Sequence, residues 1–324
     1  MNFIDNIRKP ILTEMQMFEQ TFAEALSTDN PMLESVNEYV LKKSGKQLRP
    51  MLTILSAKLC GEVNQTTLHG ALSLELLHTA SLIHDDVVDD TLERRGKPSI
   101  NARWTNKIAI LSGDYILSKS LGSATKTNNL EILKAIASIG MQLSDGELLQ
   151  LVNETFSETS EKKYFNIIRK KTALLFSTCA EVGGMSVKAD DEALLHLRNF
   201  GEYLGICFQI KDDIFDYSEN TNIGKPTGND IRDGKMTLPL IYALMNSTGS
   251  ERDQVLAMLD NKDFSPENIK TITQFTHREG GVKYATEQME IYKNKAIEEL
   301  NGFADSEVKK SLILCAEYAG SRDF

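Results

Sequence analysis

Six aspartates in two copies of one spacing are the residues of this chain best suited to chemistry. Asp85, Asp86 and Asp89 lie in LIHDDVVDDTLERRG, and Asp212, Asp213 and Asp216 lie in QIKDDIFDY, so DDxxD occurs twice, 127 residues apart. On a helix, residues four apart lie one above the other, which stacks Asp85 over Asp89 and Asp212 over Asp216. Each stacked pair repels itself unless a hard cation sits between its carboxylates. Mg2+ suits that place, because it prefers oxygen ligands and keeps waters that exchange for phosphate oxygens. A single DDxxD reads as readily as solvated helix surface. Two copies, each after an apolar helical segment and before a cationic, glycine-containing loop, argue for a built site; Asp90 lies outside the spacing and reads as solvated.

Positive charge stands where a multiply charged anion needs it. Arg94 and Arg95 follow the first copy, and Lys225 in TNIGKPTGND and Lys235 in NDIRDGKMTLP follow the second. Upstream, SGKQLRP offers Lys46 and Arg49; in mid-chain, IIRKKTALLF offers Lys171 with Thr172 beside it. Arginine forks onto phosphate oxygens, whereas lysine supplies a mobile point charge. Carboxylate–metal clamps with separate basic patches suit diphosphate better than a lone phosphate, and two diphosphates better than one. Neither SGKQLRP nor RRGKPS has the glycine spacing of a phosphate-binding loop. The five histidines are too dispersed to nominate a cluster. His78 stands two helical turns before Asp85 and could donate to a phosphate from the same face, although a structural role is the plainer reading of a lone histidine.

The elements that must position these groups read as helices. GALSLELLHTASLIHDD, LEILKAIASIGMQLSDGELLQLV, EALLHLRNFGEYLGICFQIKDDIFDY and the segment from Ser306 to Ala319 all repeat apolar residues at three- and four-residue steps. No Val-rich strand flanked by Asn-Gly or Asp-Gly turns occurs. The seven prolines sit mainly at boundaries, Pro50 and Pro239 being placed to open helices. TLERRGKPS, TNIGKPTGND and the polar stretch STGSERD interrupt the pattern without the length of an interdomain linker. An all-α chain forming a single helical domain over residues 1–324 is the economical expectation.

Composition narrows the classes of function. A formal charge of −10 over 324 residues argues against a nucleic-acid partner, so any anionic ligand must be held by local basic clusters. MNFIDNIRKPILTEM lacks a secretory h-region and no stretch reads as a membrane span, so a cytoplasmic location is expected. Cys60, Cys179, Cys207 and Cys315 are widely separated and read as inert buried thiols.

With these residues in place, the chain resembles the trans-isoprenyl diphosphate synthases, the head-to-tail prenyl chain elongators. The likeness runs from about Leu33 to Arg322 through GKQLRP, ELLHTASLIHDDVVD, ERRGKPS, SGDYIL, KTALLF, GICFQIKDDIFD, GKPTGNDIRDGKMTLPL and YAGSR. It implies the isoprenoid synthase fold, antiparallel helices around a central cavity, and a homodimer. It implies that Asp85, Asp89 and Asp212 bind Mg2+, about three ions per site with substrate present, while Asp86, Asp213 and Asp216 complete the motifs. Lys46, Arg49, His78 and Arg95 match the site for isopentenyl diphosphate. Arg94, Gln209, Lys171, Thr172, Lys225 and Lys235 match the surroundings of the allylic diphosphate, geranyl or farnesyl.

The same resemblance bears on product length. A tail anchored at Asp85 and Asp89 runs back along its helix past Ser81 and Ala80, where short-product relatives carry a bulky aromatic. Both side chains are small here, which points to a product of roughly six to ten isoprene units, octaprenyl being the central expectation, for quinone side chains; the alternative use of small residues is close helix packing. The floor of such a cavity falls around Ile116 to Leu121 or around Ile136 to Leu143. The chain ends YAGSRDF rather than in a strongly basic tail, leaving Arg322 as a lid residue. A catalytic subunit of a two-component heptaprenyl or hexaprenyl synthase, with a small helical partner, is the alternative enzyme, peripheral membrane contact for product handover being compatible with either. A terpene cyclase would pair one DDxxD with a different metal motif, a head-to-head coupling enzyme would show DxxxD clusters, and a non-enzymatic helical scaffold would need neither clamp nor basic patches.

Overall fold

Helix forms almost everywhere that the apolar recurrence runs. The computed structural model describes residues 3–42, 45–94, 96–152, 160–217 and 228–321. In chain order it gives α1 (Phe3–Arg8), α2 (Leu12–Leu26), α3 (Pro31–Lys42), α4 (Leu48–Cys60) and α5 (Gln65–Val88). A hairpin follows, β1 (Glu93–Arg94) with β2 (Lys97–Pro98), then α6 (Ile100–Arg103), α7 (Asn106–Lys126), α8 (Leu130–Val152) and α9 (Glu161–Ile168). A π-helical turn, Arg169–Ala173, leads into α10 (Leu174–Ser186) and α11 (Asp191–Phe215). The remainder is α12 (Asn229–Arg232), α13 (Leu238–Asn246), α14 (Ser250–Asp260), α15 (Pro266–Arg278), α16 (Gly281–Glu299) and α17 (Glu307–Ser321). The all-α expectation holds.

Pro31, Pro239 and Pro266 open α3, α13 and α15, where the missing N–H has no intrahelical partner to lose. Two boundaries differ from the sequence reading. α14 begins at Ser250, inside the stretch read as a polar connection, its first turn carrying Glu251 and Asp253 where the helix dipole favours acids. TLERRGKPS folds into the short antiparallel hairpin, with Arg94 opposite Lys97 and Gly96 at φ 70° in the turn.

The described residues fall into two compact units. The first comprises Met1–Met141, Phe176–Arg198 and Gly302–Leu314. Its central helix is α5, opened by a capping box in which Asn64 Oδ1 accepts from Thr67 N at 3.2 Å and Asn64 N donates to Thr67 Oγ1 at 3.3 Å. Leu68, Leu72, Leu74, Leu76, Ala80 and Ile83 of α5 are all buried, so this helix is apolar nearly all round. Each buried leucine contributes about 1.5–3 kcal/mol. Small residues bring α7 close alongside: Ser73 Oγ donates to the Ser120 carbonyl at 2.9 Å and Ser120 Oγ to the Ser73 carbonyl at 2.8 Å.

The second unit comprises Gln142–Leu175, Asn199–Asn301 and Cys315–Phe324. Tyr217, Ile231, Leu240, Leu244, Ile272 and Phe275 make a buried cluster beneath its aspartates. Tyr242 and Tyr284 stack at 4.1 Å where α13 meets α16, and Tyr284 Oη donates to Glu161 Oε1 at 2.7 Å, tying in the start of α9. Among the described residues, no helix is long and apolar enough to cross a membrane.

Candidate active site

Both aspartate motifs stand at the C-terminal ends of long helices. α5 stops at Val88, so Asp85 and Asp86 lie in its last turn and Asp89 is the residue after it, its N–H donating to the Asp85 carbonyl at 2.8 Å. α11 stops at Phe215, placing Asp212 and Asp213 in its last turn and Asp216 just beyond. A helix C-terminus carries partial negative charge, which disfavours each nearby carboxylate by about 0.3–1 kcal/mol. Gathering three at each of two such ends costs stability unless cations answer them.

In the first unit, Asp86 is buried and accepts from Arg94 Nε at 2.6 Å, a charge-assisted bond that ties the hairpin to the helix end. Asn101 Nδ2 reaches the carbonyls of Asp86 and Thr91, both at 3.1 Å, and fixes the chain between them. Asp85 is half-buried and Asp89 exposed. Arg94, expected beside the allylic diphosphate, is engaged by Asp86 of the first motif.

The expected donor-site residues of this unit lie on α4 and α5. Lys46 is exposed just before α4, and Arg49 is in its first turn with the guanidinium 4.9 Å from the centre of the Phe176 ring. Between them Gln47 adopts φ 54° and is held by Arg8 Nη2 donating to its Oε1 at 2.7 Å. The sequence reading missed Arg8, 39 residues away from Gln47. His78 is half-buried on α5, Ala80 is buried at 1% exposure, and Ser81 Oγ donates to the His78 carbonyl at 2.9 Å.

In the second unit one hydrogen-bonded chain links four residues. Thr172 Oγ1 donates to Gln209 Oε1 at 2.8 Å, Gln209 Nε2 donates to Asp213 Oδ1 at 2.9 Å, and buried Tyr164 donates from Oη to Asp213 Oδ2 at 2.6 Å. Both oxygens of Asp213 are thus taken by protein donors. Burial and the charge of Asp230 nevertheless hold Asp213 well above the usual carboxylate range, the Tyr164 and Gln209 bonds pulling the other way. Asp216 accepts from Asn229 N at 2.8 Å and Asp230 N at 3.0 Å, and burial followed by the charge of Asp230 pushes it up to about 6. Asp216 therefore anchors the chain where it re-enters as α12. Asp212 is half-buried at the same helix end.

Asp230, which the sequence reading passed over, is a fourth carboxylate of this cluster. Burial raises it and the Lys235 ammonium opposes the rise. Lys235 Nζ lies 3.7 Å from Asp230 Oδ1 and donates to Asp233 Oδ2 at 3.0 Å. Lys171, in the π turn, pairs with Glu147 Oε2 at 2.7 Å and donates to Gln150 Oε1 at 2.8 Å. Two glycines admit that wide turn. A Cβ on Gly146 would stand 2.9 Å from Lys170 Cβ and 3.1 Å from Lys171 N, and one on Gly205 would stand 2.5 Å from Ala173 Cα. Arg95, Lys225 and Arg322 lie outside the described residues.

Magnesium fits both clusters. The side chains at the two motifs offer hard carboxylate oxygens and no sulfur, and in the second unit the carboxylates raise one another's proton affinity, an effect that a dication reverses. Among the described residues no three His, Cys, Asp or Glu side chains converge as a ready metal cage, so an ion would draw further oxygens from substrate and water.

Residues 30–276 match the family model described as Polyprenyl synthetase. The heptaprenyl diphosphate synthase component 2 of Bacillus subtilis is 31% identical over 96% of this chain and 88% of its own length. The crystal structure of a geranylgeranyl pyrophosphate synthase from Bacteroides thetaiotaomicron is 42% identical, with a TM-score of 0.86 over 99% of this chain and 100% of that one. A polyprenyl synthase from Caulobacter crescentus, solved with calcium and isoprenyl diphosphate, is 29% identical, with a TM-score of 0.92 over 98% of each chain. The chain belongs to the polyprenyl synthetase family, whose members are magnesium-dependent trans-prenyltransferases.

Proposed function

We propose that the chain condenses isopentenyl diphosphate with geranyl or farnesyl diphosphate and repeats the step to an all-trans chain of roughly six to ten isoprene units, octaprenyl being the central value. The observation that carries this reading is the division of labour within each motif. Asp86 and Asp213 accept from protein donors at the ends of α5 and α11, and Asp85, Asp89 and Asp212 at the same helix ends are assigned in this reading as the metal ligands. About three Mg2+ ions per site, bound with substrate, supply charge that makes diphosphate a better leaving group.

The residues of the chain divide the remaining work. Arg94, Lys171, Thr172, Gln209, Lys225 and Lys235 are assigned to hold the allylic diphosphate, so negative charge on the departing oxygens meets fixed donors as the C–O bond breaks. Lys46, Arg49, His78 and Arg95 hold the second diphosphate and bring the terminal alkene to C1 of the allylic cation. The new C–C bond leaves a tertiary cation, and loss of one proton to the released diphosphate closes the new double bond. Each cycle consumes one isopentenyl diphosphate and releases one diphosphate. The family match over residues 30–276 includes parts of both units, which are read as one catalytic domain over residues 1–324.

Product length rests in this reading on Ala80 and Ser81, whose side chains are small where the tail is expected to run along α5. Quinone side chains are the destination for such a product, handed to a membrane from the cytoplasm by a peripheral contact. A homodimer is proposed as well, supported in the first unit by Ile110, Leu111, Leu121, Leu130 and Met141 exposed on α7 and α8. A solution mass of one chain would contradict it. The likeness to a heptaprenyl synthase component favours, as a second reading, a small helical partner subunit.

Product chromatography separates these readings. Purified protein with Mg2+, isopentenyl diphosphate and an allylic primer is expected to yield prenyl diphosphates of six to ten units, and chelation of the metal to stop the reaction. No elongation of any primer with metal present would refute the self-sufficient enzyme, and turnover restored only by an added helical subunit would establish the two-component form.

A further inference from the structure

The first unit contains a cavity of about 490 Å3 whose lining includes none of the aspartates or cations assigned above. α3, β2 and α6 shape it, through Glu38, Tyr39, Lys42, Lys97, Arg103 and Trp104. We propose that this cavity binds a nucleoside phosphate. Its volume falls in the ordinary range for small-molecule sites, about 300–1,000 Å3.

Charge is the first argument. The chain as a whole is strongly acidic, with a formal charge of −10, yet here three exposed cations face a single carboxylate. That carboxylate, Glu38, pairs with Lys42 at 3.2 Å, but the two side chains are 57% and 71% exposed, so the pair is worth little and yields readily to an arriving anion. Lys42 and Lys97 are mobile point charges on long stems, able to follow phosphate groups of different lengths.

Planarity is the second argument and separates a nucleotide from a bare phosphate. The rings of Tyr39 and Trp104 meet edge to face, with centres 5.5 Å apart and an interplanar angle of 80°. The guanidinium of Arg103 lies 4.4 Å from the Tyr39 ring centre and 4.9 Å from that of Trp104. Half-buried rings and a flat cation give a heteroaromatic base surfaces on which to stack, as indole rings and arginine planes do for nucleobases. The rings also limit where Arg103 can swing, so that part of the ordering cost is met before a ligand arrives.

The cavity's wall continues into the first motif. Tyr39 Oη donates to the Pro98 carbonyl at 2.8 Å, Lys97 pairs across the hairpin with Arg94, and Arg94 holds Asp86. A ligand drawn onto Lys97 therefore pulls on the strand pair that frames a metal-binding helix end.

Trp104 is the only tryptophan of the chain, so its fluorescence reports on the cavity without labelling. Titration with ADP in the absence of Mg2+, which keeps the aspartate motifs from gathering phosphate through a cation, is expected to quench that fluorescence saturably. The double variant Lys42→Ala/Lys97→Ala is expected to raise the half-saturating ADP concentration by about tenfold or more, which is about 1.4 kcal/mol or more, and to leave condensation turnover without ADP unchanged. Absence of a saturable response at millimolar ADP, an unshifted curve in the double variant, or an equal response to inorganic diphosphate alone would each overturn the proposal.

Discussion

Replacing Asp85 or Asp212 by alanine is expected to lower condensation turnover by about 10³-fold, close to 4 kcal/mol of transition-state stabilisation, while the protein stays folded. Each change removes a proposed metal-ligand oxygen from a helix end where negative charge is already disfavoured, so repulsion at that end is relieved. Both residues are half-buried and a truncated aspartate leaves only a small void. The contrast is Asp213→Ala, which strands the Oη of buried Tyr164 and the amide of Gln209 without their acceptor. Leaving the buried Tyr164 hydroxyl unsatisfied costs about 1–3 kcal/mol, so that variant should lose thermal stability along with activity. Turnover measured beside circular-dichroism melting curves checks all three. Wild-type turnover in Asp85→Ala or Asp212→Ala would remove the metal assignment at that position.

Ala80→Phe is expected to shift the product distribution to shorter chains by at least one isoprene unit. Ala80 is buried at 1% exposure on α5, five residues before Asp85, so a tail anchored at the aspartates and running back along the helix passes it. A phenyl ring there fills the path. Overpacking a buried position typically costs about 1–3 kcal/mol, and the result counts only for protein that remains folded and elongates a primer. Chromatography of products from wild-type and variant protein at matched turnover gives the answer. An unchanged distribution would send the tail elsewhere, and Ala80 would then be small for the sake of helix packing.

The helices and both aspartate motifs were legible because their signals are local. Apolar residues at three- and four-residue steps marked α5, α8, α11 and α17, and DDxxD is a spacing within a single turn. What escaped the sequence acts across distance or through backbone geometry. Tyr164 and Asp213 are 49 residues apart, and nothing in YFNII distinguishes a tyrosine whose hydroxyl meets a buried carboxylate from one in an ordinary core. Asp230 lay in a stretch singled out for its lysines, and its membership of the cluster depends on Asp216 accepting its N–H. Asp86 and Arg94 are close in sequence, and both were noticed, but only a hairpin turn directs the guanidinium back to the helix rather than outward. Gly146 and Gly205 carry no pattern of their own, because they matter only where another backbone comes too near for a methyl group.

The wide turn at Arg169–Ala173 sets a rule for length along this stretch. A π turn holds one more residue than an α turn, with the Leu174 N–H reaching back to the Arg169 carbonyl. Deleting any one of its five residues lets the helix close into ordinary α geometry, which leaves the flanking turns near their present phase but shifts the side chains within the turn itself. Lys171 and Thr172 then lose their registry with Gln150 and Gln209 although neither has been replaced. In this segment the number of residues is as much a determinant of the site as their identity, and a conservative substitution is tolerated where a single-codon deletion is not.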